Sequence, residues 1–173
     1  MKRGISISKF LQPLEEKPLQ VYLTNELQLA DVLEWILAQV GLAEVWQTSF
    51  SISEEFLRRL FFIEQKGLVS QFNLILDFKA TNKTLRLWPF ICQTMENVYL
   101  ADNHSKVLLV QAESGQLVTV LTSQNLTRGN RLESATVTTD PYVFNTLHAE
   151  IQAIIRTKSV PLHELFKRRF AGD

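Results

Sequence analysis

Residues 104–139 read HSKVLLVQAESGQLVTVLTSQNLTRGNRLESATVTT, and the reading of the fold turns on them. Two apolar, β-branched runs, 106–112 and 117–123, are separated by Glu113-Ser114-Gly115-Gln116. Runs of this kind joined by a short link with glycine predict a β-hairpin. A third run, 132–139, follows after a polar loop and predicts another strand. Asp140-Pro141 then predicts a helix start, with Asp at the N-cap and Pro at the first helical position. That helix runs to about residue 155, with Val143, Leu147, Ile151 and Ile154 on one side.

Upstream, the period alternates between helix and strand. Thr24-Asn25-Glu26 is a candidate N-cap for a helix over 26–40, where Leu29, Val32, Leu33, Ile36, Leu37 and Val40 recur at helical spacing and Gly41 stops it. Residues 43–50 predict a strand. Ser53 can cap a helix over 54–66 that ends at Gly67. Residues 72–78 predict a strand, 80–83 a polar break, and 98–101 another strand. Residues 84–95 are apolar and fit a helix interrupted by Pro89. Residues 1–20, with Pro13 and Pro18, read as an irregular or edge segment, and 160–170 as a short terminal helix. The order predicts an α/β protein: a single mixed β-sheet flanked by helices on both faces.

Composition bounds the rest. A chain of 173 residues with 46% hydrophobic and 21% charged residues predicts one ordinary globular domain over 1–173. One cysteine, Cys92, excludes an internal disulfide and a multi-cysteine zinc site, and fits a reducing, cytoplasmic setting. Lys+Arg and Asp+Glu are each 18, which excludes a strongly basic nucleic-acid binder but not a local basic patch. Nothing near the N-terminus reads as a signal peptide. No run reaches the ~18 apolar residues of a membrane helix, so no membrane partner is expected.

Chemistry concentrates where the hairpin opens. His104 and Lys106 are i and i+2 at a strand start, so in an extended chain they share a face. An ammonium there can hold an anionic group beside an imidazole whose neutral form is a nucleophile or base. Alone, such a pair is a weak signal. The strand that returns beside it ends in Ser123-Gln124-Asn125, which puts a hydroxyl and an amide next to the same point. Four such groups can bind phosphate oxygens from several sides. Arg128 and Arg131 flank the loop and can grip a neighbouring phosphate, although loop arginines more often serve solubility. His148 and His163 lie in helices and read as packing residues.

His104-Ser105-Lys106, a hydrophobic strand, a turn, a second strand and Ser123-Gln124-Asn125-Leu126-Thr127 resemble the HKD motif of the phospholipase D-like superfamily. The family pattern is H-x-K, four residues, D, then G-S-x-N on the following strand. Glu133, eight residues past Asn125, also resembles a glutamate that family members often carry. The close match runs over 98–139, and the earlier helix–strand order is compatible with the family. Gln111 stands at the family Asp position and Thr122 at the family Gly position.

The resemblance implies a metal-independent phosphodiesterase with no cofactor. His104 would attack phosphorus and form a phosphohistidine. Lys106, Ser123 and Asn125 would neutralise the phosphate, and Glu133 would orient the imidazole. A second motif would supply the acid for the leaving oxygen. This chain holds one H-x-K only, so the resemblance implies a homodimer with a shared site, as in short single-motif bacterial nucleases. DNA or RNA is the expected substrate. The alternative is a degenerate member that binds nucleic acid or phosphate without turnover, and a third reading is an assembly domain that keeps the motif without using it.

Overall fold

The computed structural model describes residues 6–95, 97–127 and 129–170, without the side chains of 92–94 and 168–170. Eight strands form one mixed sheet. They are β1 (Leu19–Thr24), β2 (Ala43–Ser49), β3 (Val69–Asp77), β4 (Asn97–Ala101), β5 (Val107–Ala112), β6 (Leu117–Thr122), β7 (Glu133–Thr138) and β8 (Val160–Pro161). Their spatial order is β1-β7-β6-β5-β2-β3-β4-β8. Only β2-β3 and β3-β4 pair in parallel; every other neighbour is antiparallel.

The helices are α1 (Leu29–Val40), α2 (Glu54–Glu64), α3 (Thr81–Arg86), α4 (Trp88–Thr94), α5 (Pro141–Thr157) and α6 (Leu162–Phe170). α1, α2, α4 and α6 enclose the larger core on one face, around Leu33, Ile36, Leu57, Leu60, Leu74 and Val110. α5 lies on the other face, where Phe144 and Ile151 pack on Trp46, Ile75 and Leu109. The expected mixed sheet with helices on both faces is what forms.

Local chemistry sets the boundaries. Ser53 caps α2 by accepting from the Phe56 N–H, and Asp140 caps α5 by accepting from Tyr142. α1 starts later than the sequence suggests. Gln28, not Thr24, is its cap, in a reciprocal capping box with Asp31. Pro89 sits in the first turn of α4, where its missing N–H costs nothing, so the apolar stretch splits into two short helices at Leu87. Residues 80–83, expected as a polar break, belong instead to a short turn and the start of α3. The hairpin pairs Val107 with Leu121 and Gln111 with Leu117, and Gly115 takes φ 90° in its turn.

β1 lies beyond the reach of sequence periodicity because its pattern is inverted. Gln20, Tyr22 and Thr24 face the core, while Leu19, Val21 and Leu23 face outward. Gln20 can be buried because its amide is fully used: it accepts from the Gln12 N–H and donates to the Gln12 and Lys17 carbonyls, each at 2.7 Å.

Candidate active site

The carboxyl ends of β2, β3 and β4, the start of β5, the end of β6 and the start of β7 all meet at one edge of the sheet. That edge, at the ends of parallel strands, is where open α/β sheets place their ligands. His104, Lys106, Ser123, Asn125 and Glu133 all fall there.

His104 is exposed because the chain leaves the ladder just before β5. Asn103 makes the departure. Its Oδ1 accepts from the Ser105 N–H at 3.2 Å and from the Ser105 hydroxyl at 2.5 Å, a local turn in which a side chain replaces a strand partner. Its Nδ2 donates to the Ser49 carbonyl at 3.1 Å, and its N–H to Asp77 at 3.0 Å. Asn103 therefore ties the strand start to the ends of β2 and β3. Thr48 completes the rack. Its hydroxyl accepts from the Val107 N–H at 2.9 Å and lies 2.8 Å from the Ser105 hydroxyl.

Above this rack, Lys106 donates to the His104 carbonyl at 2.8 Å and lies 3.4 Å from the ring's Nδ1. The other side of the imidazole meets the Phe50 ring, with centroids 5.6 Å apart. Asn125 reaches the same segment from β6. Its Oδ1 accepts from the Phe50 N–H at 3.2 Å and from the Ser49 hydroxyl at 3.3 Å. The Ser49–Phe50 corner thus joins His104 to Asn125.

Ser123 and Glu133 form a second pair. The Ser123 hydroxyl donates to the Glu133 carboxylate and accepts from the Ser134 N–H at 3.1 Å. Glu133 accordingly sits on Ser123, and the imidazole contacts lie with Lys106 and Phe50. Beneath them, Tyr22 is pushed up to about 12 by burial and by the negative charges of Asp31 and Glu133. Arg131 is exposed in the loop before β7, and Arg128 lies outside the described residues. His148 is a packing residue as expected: its ring lies 4.4 Å from Trp46, and burial holds it below the usual histidine range.

The two departures from the H-x-K…G-S-x-N pattern have physical readings. The Thr122 hydroxyl donates to the Ser134 carbonyl at 2.9 Å and accepts from the Gln124 N–H at 3.1 Å, so it shapes the turn that carries Ser123 and Asn125. Gln111 is exposed near the far end of β5, roughly 17 Å along the strand from Lys106 at ~3.4 Å per residue, too far to touch the site. Asn103, Asp77, Thr48 and Ser49 carried no signal of their own. They are ordinary residues at strand ends, and only the sheet order brings them together.

Among the described residues there is no group of three or more His, Cys, Asp or Glu placed to hold a metal ion, and no helix long and apolar enough to cross a membrane.

No family profile matches the sequence, and no curated protein matches it either. Solved structures do resemble it. Nuc from Salmonella typhimurium, a phospholipase D family member, superposes with a TM-score of 0.63 at 13% identity, over 83% of this chain and 96% of that one. NucT from Helicobacter pylori gives 0.57 at 12% identity, over 81% and 98%. Polyphosphate kinase from Porphyromonas gingivalis gives 0.62 at 14% identity, over 83% of this chain but 28% of the kinase. The chain has the phospholipase D-like fold.

Proposed function

We propose that residues 1–173 form a single phospholipase D-like domain that hydrolyses phosphodiesters, with nucleic acid as substrate, and that two copies share one active site. The observation that carries this reading is the meeting of His104, Lys106 and Asn125 around the Ser49–Phe50 corner, at the ligand edge of this fold. The lone cysteine supports a reducing, cytoplasmic setting.

The chemistry follows from these groups. A ring nitrogen of His104 attacks phosphorus, and the bond to the leaving oxygen breaks. That oxygen takes a proton from the second copy's His104. The now neutral second imidazole takes a proton from water, whose oxygen attacks the phosphohistidine, and the P–N bond breaks with its electron pair returning to the ring. The covalent intermediate divides one hard displacement into two. For Nε2 to attack, the ring proton must sit on Nδ1. Lys106 then has to move from Nδ1 to a phosphate oxygen; its contact there is long, and its shorter bond is to a carbonyl. Ser123, turning its hydroxyl to the phosphate, would release Glu133 to accept the Nδ1 proton. No step uses a metal, so activity should persist in chelator.

A second reading, binding without turnover, is favoured by one observation: the Ser123 hydroxyl is engaged by the Glu133 carboxylate. Cleavage of labelled single- and double-stranded DNA and RNA in excess EDTA, beside His104→Ala, separates the two. The proposal predicts cutting by the wild type and a loss of roughly 10³-fold or more in the variant. Retained binding with no cutting by either protein would favour the second reading.

A further inference from the structure

Two aromatic residues leave the sheet beside His104. Phe50 follows β2 and Phe78 follows β3. These strands are parallel neighbours, and their register sets Ser49 opposite Leu76, so the two phenylalanines emerge next to each other at the ligand edge. Each is held by a group that already belongs to the site. Asn125 Oδ1 accepts from the Phe50 N–H at 3.2 Å. The Asp77 carboxylate accepts from the Lys79 N–H at 2.7 Å and from the Asn103 N–H at 3.0 Å. One side chain thus ties the turn that carries Phe78 to the strand start that carries His104. The Phe50 ring is half-buried against the imidazole, 5.6 Å between centroids, and Phe78 is 41% exposed.

A single exposed phenylalanine needs no explanation. Two at the reacting edge do, because the proposed chemistry asks there for cations and hydrogen-bond donors, and a phenyl ring supplies neither. What a ring does supply is a flat face, and every nucleobase has a π-face to lay on it. Cations stand beside the rings for the connecting phosphates. Lys79 adjoins Phe78 and Lys106 adjoins His104; neither lysine forms an ion pair with a described residue. The acids nearest them are Asp102, which is exposed, Asp77, which is buried under Asn103, and Glu133, which sits on Ser123.

We infer that Phe50 and Phe78 stack the bases flanking the scissile phosphate, and so select a strand whose bases are unpaired. The inference deepens the phosphodiesterase reading proposed above and rests on it. In a duplex, each base is covered on both faces by its neighbours, so a ring beside the phosphate meets no free face. Bases of a single strand can splay out and stack on aromatic side chains. A lipid phosphodiester offers no flat group at this position.

The test is fluorescence anisotropy in excess EDTA with three labelled probes: a single-stranded oligonucleotide, an abasic strand with the same number of phosphates, and the duplex. It is run on His104→Gln, which removes the nucleophile but keeps a side chain against Phe50, with Phe50→Leu and Phe78→Ala added singly. Phe50→Leu keeps the apolar volume and loses the ring. Phe78 is exposed, so its truncation disturbs no core. Circular dichroism checks the fold of each variant. The intact strand should bind roughly 10-fold or more tighter than the abasic strand and the duplex. Each substitution should weaken the intact strand by about 5- to 100-fold and leave the abasic strand unchanged, and Phe78→Trp should restore binding. Equal affinity for intact and abasic strands, tighter binding of the duplex, or an equal loss on both strands would overturn the inference. Cleavage by the wild type separates this from the phosphodiesterase reading. Equal cutting of intact and abasic strands refutes the stacking role and leaves the enzyme standing. Ring-dependent preference for the intact strand, without any cutting, upholds the stacking role and refutes the enzyme.

Discussion

His104 projects from the sheet because Asn103 holds the chain beneath it. Removing that amide leaves the Ser49 carbonyl and the Ser105 N–H without their partner in a buried setting. Asn103→Ala should therefore cost about 1–3 kcal/mol in denaturant unfolding. Asn125 offers a finer test, because its Oδ1 serves the fold while its Nδ2 is the group proposed to meet phosphate. Asn125→Asp keeps the acceptor for Phe50 and Ser49 and replaces the donor with negative charge. Its melting temperature should stay close to wild type, while nucleic-acid affinity in a salt titration should fall; unchanged affinity would remove Asn125 from the phosphate site. At this scale the spacing H-x-K…S-x-N made legible that four candidate residues would share one edge of the sheet. Asn103, Asp77 and Ser49 were not legible, because a strand-end polar residue acquires a role only from strands distant in sequence.

Among the elements, the helices and the β5–β6 hairpin follow from period and punctuation. α1 shows why its start did not: the capping box at Gln28–Asp31 uses a glutamine, which is outside the usual Ser/Thr/Asp/Asn signal. Its end is firmer. Gly41 takes φ 80°, ψ −152°, a region that is essentially glycine's alone, so Gly41→Ala should destabilise the fold by roughly 1–3 kcal/mol in thermal melts. α2 carries a pH signature. Burial pushes the Glu64 carboxyl up to about 7. The folded value exceeds the unfolded one of about 4.3, so the folded state binds the extra proton and stability falls as pH rises from about 4.5 through 7. Glu64→Gln should remove that slope, leaving melts at pH 5 and pH 8 more nearly equal than in the wild type. β1 was illegible as an inward-facing strand for a physical reason: its apolar side faces out, and periodicity read alone assigns the wrong face to the core.

The whole molecule is a sheet that gathers its chemistry at one edge and leaves an apolar face bare beside it. If two chains share one site, a mixed dimer of wild type and His104→Ala has one imidazole and should be inactive. After subunit exchange, activity should then fall as the square of the wild-type fraction, whereas independent sites would give a straight line. The central claim is that His104 bonds to phosphorus, and trapping the intermediate tests it most directly. Labelled DNA mixed with the protein and quenched in alkaline denaturant, where phosphohistidine survives, should give a protein–DNA adduct that peptide mass spectrometry places on His104, absent from His104→Ala. Cleavage with no adduct at His104, or an adduct on another residue, would contradict the account.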